Sequence, residues 1–244
     1  MAFTGVFKGA FFAALCAGVA AGLVAALLQF FFVIPLLLEG ELYESGARLH
    51  FAVDGTTQSD RASPALGNDW GRHSLTVAFN IVSYTGFALA LVALMGLARA
   101  HLGAAIQARS GLLWGLCGFI AVQLAPAFGL PPELPGVVGA DLGARQLWWG
   151  ATILATASGL ALIAFCRGLL WPLLGMGVIL LPQAVGAPHL ESYFGVAPPE
   201  LAAEFATRSL GVAAVGWAML GYLCGWLLQG VAAPAPRRNS GALV

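Results

Sequence analysis

The sequence predicts an all-α, polytopic membrane protein with about six transmembrane helices and both termini in the cytoplasm. Of its 244 residues, 59% are hydrophobic and 9% are charged, and the mean hydropathy is +0.86. Because soluble domains carry about 25% charged residues, a chain this apolar is expected in a bilayer. Six long apolar stretches and a one-sided distribution of acidic residues support the same fold class.

Each of the six apolar stretches is near the length that a membrane-spanning helix needs, about 20 residues. The first exceeds the apolar region of a secretory signal, about 7–15 residues. We therefore expect it to remain as a helix, with tilt or a kink at Pro35 absorbing its excess length. The fifth is short and follows the fourth after Arg167-Gly168, which predicts a tight hairpin and leaves a re-entrant segment open. The predicted spans are 9–38, 75–98, 111–127, 148–166, 168–184 and 210–231.

All eleven acidic residues fall in three segments, which these spans place on one side of the membrane. The segments are predicted outer loops at 39–73, 128–147 and 185–208. The N-terminus, the other connections and the C-terminal tail contain no acidic residue and six basic ones: Lys8, Arg99, Arg109, Arg167, Arg237 and Arg238. Since short cytoplasmic loops are enriched in Lys and Arg, we expect both termini to lie inside. We predict a multi-pass protein of the inner cell membrane. One transmembrane domain would cover 1–231, and a disordered cytoplasmic tail 232–244.

Small and aromatic residues predict how the helices pack and how deep they lie. Glycines four residues apart allow helix backbones to approach closely. They occur as Gly18 and Gly22, Gly111 and Gly115, and Gly221 and Gly225. Aromatic residues at span ends predict a belt at the membrane interface, here Trp148, Trp149 and Trp171.

No predicted span contains a clear charge at mid-membrane, the usual mark of an ion relay. The polar residues inside the spans are neutral: Gln29, Asn80, Ser83, Tyr84, Thr85 and Gln123. Hydrogen bonding between helices explains Ser83 and Thr85. Asn80 and Gln123 cost more to bury, and for them a polar pathway and structural hydrogen bonding both stay open.

The first candidate metal site follows the first span and contains Glu39, Glu41 and Glu44. If the helix continues outward, Glu41, Glu44 and Arg48 share one face. Carboxylates with a nearby imidazole, here His50, suit Co, Ni, Mn or Zn. The alternative is a solvated helix extension with a Glu44–Arg48 ion pair.

Two further outer segments carry candidate ligands. The segment GLPPELPG, at 129–136, surrounds Glu133 with prolines and restricts its backbone. An Asp141–Arg145 pair is expected to cap the helix that follows. His189 and Glu191 follow the fifth span. They are candidate metal ligands because the other acidic clusters are predicted on the same side of the membrane.

Other function classes are excluded or disfavoured by missing motifs. There is no GxxxxGK[ST] phosphate loop, no HExxH and no GxSxG arrangement. The basic residues form no run beyond Arg237-Arg238, so nucleic acid is not expected as a partner. The cysteines form no CxxC pair and are expected to pack as small apolar residues. We therefore expect neither an enzyme nor a permanently bound cofactor.

Three outer segments have a distinctive sequence: FVIPLLLEGELYE, then GLPPELPG followed by RQLWWGATILATASGLAL, and finally the GAPH turn. Together they resemble the cobalt transporter subunit CbtA family, and the resemblance extends from about Lys8 to the last span. The family motif falls on Glu39, Glu44, Pro131, Pro132, Glu133, Pro135, Gly136, Arg145, Trp148, Trp149, Gly186, Pro188 and His189.

The resemblance implies uptake of Co²⁺, the transported ion, for cobalamin synthesis. It also implies a small single-span partner of the CbtB type with a histidine-rich end. In the family a histidine often follows the proline of the fifth span. Here that position is Gln183, so a ligand role would pass to His189 or be lost. The alternative is a non-transporting membrane subunit that docks a partner through its acidic face.

Overall fold

A computed structural model describes residues 2–50, 61–192 and 194–231, with side chains from residue 5 onward. This part of the chain is helical and contains no strand. The elements are α1 (Ala2–Phe32), α2 (Ile34–Glu44), α3 (Trp70–Leu102), α4 (Ala108–Phe119), a π-helical turn (Ile120–Leu124), α5 (Ala125–Ala127), α6 (Leu142–Phe165), α7 (Leu170–Val185) and α8 (Pro199–Gln229). The predicted tail at 232–244, and Asp54 and Asp60, lie outside the described residues.

Five segments are long and apolar enough to cross a membrane, and the all-α, multi-pass fold class is confirmed. They are α1, α3, α4 continued through α5, α6, and α8. The fifth predicted span corresponds to α7, which is apolar but has 16 residues. At 1.5 Å per residue α7 is about 24 Å long, shorter than a hydrocarbon core of about 30 Å. The structure thus supports five full-length spans and one short helix.

The long first helix is interrupted where the kink was predicted. α1 ends at Phe32, and α2 begins at Ile34 with Pro35 in its first turn. Proline fits there because its missing N–H would be unpaired in a first turn anyway. α2 then continues to Glu44, so the prediction of a loop from residue 39 is wrong for this stretch.

Five helices begin earlier than the predicted spans, and for α3, α6 and α8 the extra turns lie in segments that were predicted as outer loops. The Asp69 carboxylate accepts a hydrogen bond from the Arg72 backbone N–H at 3.0 Å and caps α3. Asp141 caps α6 in the same way, accepting from the Ala144 N–H at 2.9 Å. α8 begins at Pro199, so the prediction of a loop as far as residue 208 is wrong.

The predicted glycine pairs bring α4 and α8 into backbone contact. A Cβ atom built on Gly221 would collide with the Gly111 carbonyl oxygen, and one on Gly115 with the Trp217 carbonyl oxygen. A Cβ on Gly225 would lie 2.8 Å from Gly111 Cα. Such close approach lets dispersion and weak polar contacts hold two helices where lipid provides no hydrophobic drive.

Two other helix pairs use the same device. On α1, a Cβ added at Gly22 would lie 2.7 Å from Ile81 Cα of α3, and one at Gly18 would collide with Thr85. α6 and α7 meet where Cβ atoms on Gly159 and Gly175 would each lie 2.5–2.6 Å from the other's carbonyl oxygen. The α6–α7 hairpin predicted from sequence is therefore present.

The two tryptophans at the start of α6 have different environments. Trp148 is 8% exposed, and its indole N–H donates to the Pro182 carbonyl oxygen near the end of α7 at 3.1 Å. Its assignment to the aromatic belt is therefore wrong. Trp149 and Trp171 remain exposed, as an interfacial belt requires.

The connections that carry the acids lie at one end of the bundle. Arg72 at the start of α3 pairs with Glu41 of α2, and Leu134 of the α5–α6 connection packs against Leu201 of α8. We call this region the acidic end; its described parts are 34–50, 61–72, 128–145 and 186–208. It holds all nine acidic residues of the described chain.

The other helix termini lie at the opposite end of the bundle, here called the basic end. Arg99 donates to the carbonyl oxygens of Ile106, at 3.5 Å, and Leu228, at 3.4 Å. The rings of Trp114 and Phe165 are 6.0 Å apart, which brings the end of α6 to the start of α4. Which end faces the cytoplasm stays a prediction from the Lys and Arg distribution.

The glycine contact between α4 and α8 can be tested with two substitutions in one helix. We expect Gly221→Ala to lower the free energy of unfolding by about 1–3 kcal/mol, because its methyl group meets backbone that must shift. Gly211→Ala is the matched control, since a Cβ there meets nothing within 4 Å. Melting temperatures of both variants in one detergent provide the measurement. Equal melting temperatures would contradict the contact.

Candidate functional site

A small hydrophobic core holds the acidic end together. Its buried residues are Leu36 and Tyr43 of α2, Leu134 of the GLPPELPG segment, and Leu201 and Phe205 of α8. Leu134 is 3% exposed, so the prolines around it place an anchor as well as an acid. The prolines that restrict the backbone at Glu133 are therefore explained in part by the placement of Leu134 in this core.

Glu39 is the most buried of the candidate ligands, with 2% of its surface exposed. Its carboxylate accepts hydrogen bonds from Arg48 Nη1 at 3.2 Å and Ser63 Oγ at 2.9 Å. A carboxylate this deeply buried is costly without a cationic partner. The predicted Glu44–Arg48 pair is wrong, because Arg48 turns back to Glu39 instead.

Glu41 and Glu44 point to different neighbours. Glu41 accepts two hydrogen bonds from the Arg72 guanidinium, at 2.6 and 3.0 Å. Glu44 is exposed and lies beside Gly136, where an added Cβ would be 3.3 Å from Glu44 Cβ. The expected common face with Arg48 is wrong because α2 ends at Glu44.

Glu133 also pairs with an arginine. Its Oε2 accepts a hydrogen bond from Arg145 Nη2 at 2.6 Å. The predicted Asp141–Arg145 pair is wrong, since Asp141 caps α6 through backbone N–H alone and Arg145 reaches across to the preceding loop. Arg145 thus connects the start of α6 to the GLPPELPG segment.

His189 and Glu191 are exposed in the connection between α7 and α8. Gln183, at the position where the family often has histidine, has a structural role. Its side-chain N–H donates to the Ala125 carbonyl oxygen at 2.9 Å and holds α7 against α5. His189 lies six residues further along, beyond the helix, so it does not replace the Gln183 side chain in space.

An outer cavity of about 330 Å³ lies between α2 and the start of α8. Three glutamates line it, Glu39, Glu200 and Glu204, together with Tyr43, Leu49, His50, Arg61, Pro198 and Leu201. Glu204 forms ion pairs with Arg61 and Arg208. Glu200 and Glu204 were missed as candidates because their segment was predicted to be a loop. The sequence Pro198-Pro199 before an acid is a helix-start signal that would have placed them one turn apart.

The candidate ligands are thus near one another but do not form one cluster. Among the described residues, no three His, Cys, Asp or Glu side chains come together as a metal-binding group. Each of Glu39, Glu41 and Glu133 contacts an arginine instead. That these residues, with Glu44, His189 and Glu191, bind metal stays a prediction.

A larger cavity of about 760 Å³, here called the deeper cavity, lies between α1, α3, the π-helical turn and α8. Its lining residues Leu75 and Phe79 are 71% and 74% exposed, so the cavity is open at the surface of the bundle. No acidic or basic side chain lines it. Its polar lining residues are Gln29, Thr76, Asn80, Ser83, Tyr84, Gln123 and Ser209, and its apolar ones are Leu75, Phe79, Phe87, Val212 and Ala213. Of the neutral residues noted inside the spans, Thr85 alone packs elsewhere, against Gly18.

Five segments long and apolar enough to cross a bilayer, with charged residues gathered at the two ends, define a multi-pass membrane protein. The comparison with known families makes this specific. Residues 7–229 match the family model described as "Probable cobalt transporter subunit (CbtA)", and the chain belongs to this family. No curated protein and no solved structure matches the chain.

The buried position of Glu39 leads to a stability prediction. Glu39→Ala should lower the free energy of unfolding by about 3 kcal/mol, because it leaves the partly buried Arg48 without its partner. The exposed Glu44 provides the control, and Glu44→Ala should cost less than about 0.5 kcal/mol. Thermal unfolding of the purified variants measures both. If the Glu39→Ala and Glu44→Ala variants have the same melting temperature, the Glu39–Arg48 ion pair does not stabilise the acidic end.

Proposed function

We propose that this chain is the membrane subunit through which a transporter takes up Co²⁺ for cobalamin synthesis, and that the acidic end captures the ion. The observation that carries the proposal is the gathering of nine described carboxylates, against five arginines, at one end of the bundle. A surface of one sign raises the local concentration of the opposite ion and speeds its arrival. Family membership supplies the identity of the ion.

Capture would proceed by exchange of cations. In the structure the carboxylates of Glu39, Glu133 and Glu204 are balanced by arginine side chains. An arriving Co²⁺ carries twice the charge of a guanidinium and accepts carboxylate, imidazole and water ligands. Glu44, Glu191 and Glu200 have no salt bridge within the described chain, and they can receive the ion before an arginine is displaced. His189 is the imidazole expected to join this set.

A partner subunit fits the chemistry of the site. The family consists of transporter subunits, and the described side chains of this chain do not by themselves form a group of three ligands. We propose that a small single-span, histidine-bearing subunit of the CbtB type completes the ligand set at the acidic end. Imidazole groups from such a partner would be suitable ligands for Co²⁺.

Cobalt accumulation in cells lacking their own cobalt uptake tests the transport role. We expect accumulation when the chain and its partner are expressed together. Accumulation with the chain alone would show that the partner is not needed. If no cobalt accumulates with both subunits present in the membrane, the result supports the alternative, that the chain is a non-transporting subunit. Competition by Ni²⁺ and Zn²⁺ in the same assay measures selectivity.

Variants of the Glu133–Arg145 pair distinguish a metal-binding role of Glu133 from a structural role. We expect Glu133→Ala to lower the rate of cobalt uptake at unchanged protein level, because a candidate ligand is lost. Arg145→Ala should leave or raise the rate, since it frees the Glu133 carboxylate. The double variant Glu133→Arg with Arg145→Glu restores the ion pair with its charges exchanged. If Glu133→Ala leaves uptake unaltered, Glu133 has no part in the mechanism.

A further inference from the structure

We propose that the deeper cavity is a water-filled binding station for a hydrated divalent cation, reached from the acidic end and closed toward the basic end. The proposal deepens the proposed function and rests on it for the identity of the ion. The proposal is based on where the cavity lies, on the atoms that line it and on the packing beneath it.

The cavity is large enough for an ion that keeps its water shell. Six waters at about 30 Å³ each occupy about 180 Å³, well within the 760 Å³ available. One wall is a polar stripe on α3, formed by Thr76, Asn80 and Ser83 at positions i, i+4 and i+7. Residues at this spacing lie on one face of a helix. The donor groups of Thr76 and Asn80 are already paired within the protein. Their oxygens and the Ser83 hydroxyl are the groups on this wall that water in the cavity would satisfy, since unpaired polar groups are costly inside a membrane.

The hydrogen bonds of Asn80 determine which of its atoms is left for a ligand. The side-chain nitrogen donates to the Thr76 carbonyl oxygen and to Gln29 Oε1, both at 2.9 Å. Since a backbone carbonyl can only accept, the nitrogen must be on that side. The amide oxygen of Asn80, a residue that lines the cavity, accepts no hydrogen bond in the described structure, and oxygen is the atom that a cation or its water shell requires.

Two further polar groups come from the opposite walls. Ser209 of α8 has a buried hydroxyl oxygen with no hydrogen-bond partner in the described structure, although buried hydroxyls normally have one. Gln123 lies in the π-helical turn, where the Ala125 N–H bonds to the Ile120 carbonyl oxygen. π-helical turns are rare and often occur at functional sites. The Ser209 hydroxyl oxygen is closed off from solvent in this structure, so a water molecule or hydrated ion would satisfy it once the side chain rotates toward the cavity that Ser209 lines.

Aromatic packing closes the cavity toward the basic end. The Tyr84 hydroxyl contacts α8 at Gly216, where a Cβ atom would collide with it. The rings of Phe87 and Trp217 lie 4.6 Å apart directly beyond. Both pairs join α3 to α8, and the buried core of Met95 and its neighbours follows. An ion in the cavity has no polar route onward until α3 and α8 move relative to each other.

The outer cavity lies on the other side of the deeper cavity, toward the acidic end. Glu204 lines the outer cavity and Ser209 the deeper one. They are five residues apart on α8, which corresponds to about 7.5 Å along the helix axis. Neutral oxygens hold a divalent ion less tightly than carboxylates, so an ion that reaches the station can also leave it. Conduction needs sites of this moderate strength.

Thiol labelling in lipid nanodiscs tests the proposal without requiring transport or a known orientation. Ser209→Cys and Gly211→Cys are each introduced into a chain whose four native cysteines are replaced by alanine. The probe is a positively charged, membrane-impermeant methanethiosulfonate. We expect Ser209→Cys to react about tenfold faster or more, because a thiol ionises in water and not in lipid. Gly211 is the matched control, since it is exposed, lies about 3 Å further along α8, and points to another side of the helix.

Adding Co²⁺ should slow the reaction at Ser209→Cys severalfold relative to NaCl of the same ionic strength. Gln123→Met keeps the length of the side chain and removes its amide, and in this background the protection should be reduced. Equal reaction rates at the two cysteines would overturn a water-filled cavity. Full protection in the Gln123→Met background would overturn the station, since the introduced thiol alone would then be binding the metal. A chain that accumulates no cobalt but shows the expected labelling and protection would contradict the proposed function and keep the station.

Discussion

A bilayer cannot solvate an isolated charge, and this constraint determines where the charged groups of the described chain lie. The described Asp, Glu, Lys and Arg residues all lie within ten residues of a helix end or in the connections between helices. The interior is left with amides and hydroxyls, which cost less to bury and find partners between helices. Six helical segments of alternating direction then gather the acids at one end and basic residues at the other.

α8 connects the parts of the structure that the proposed mechanism uses. Its first turns carry Glu200 and Glu204 of the outer cavity, and its next turns carry Ser209 of the deeper one. Further along, Gly221 and Gly225 hold it against α4 by backbone contact. A helix held by glycines has few interlocking side chains at that contact. It is therefore suited to the small sliding movements by which packed helices change state.

The sequence predicted the elements well where a local signal exists. Apolar length located the helices, and Pro35 the break after α1. The glycines at 111 and 221 marked helix faces that allow close approach, but not that α4 and α8 are the helices that meet there. It failed where partners are distant along the chain. Arg72 pairs with Glu41, which lies 31 residues earlier in the chain, and helical spacing cannot reveal such a contact. Asn80 and Gln123 were recognised as costly to bury, but that they face one cavity depends on the rotation of α3 and of the π-helical turn.

Cobalt accumulation driven by an imposed membrane potential tests the central claim most directly. The measurement uses proteoliposomes that contain the chain and its partner, with a potassium diffusion potential, negative inside, and no nucleotide. We propose that Co²⁺ passes the charge-free deeper cavity with both of its charges, in which case 100 mV provides about 4.6 kcal/mol, roughly a thousandfold gradient. We expect cobalt to accumulate in proportion to the potential and to be released when the potential is collapsed. Accumulation that is unaffected by the potential would contradict this account.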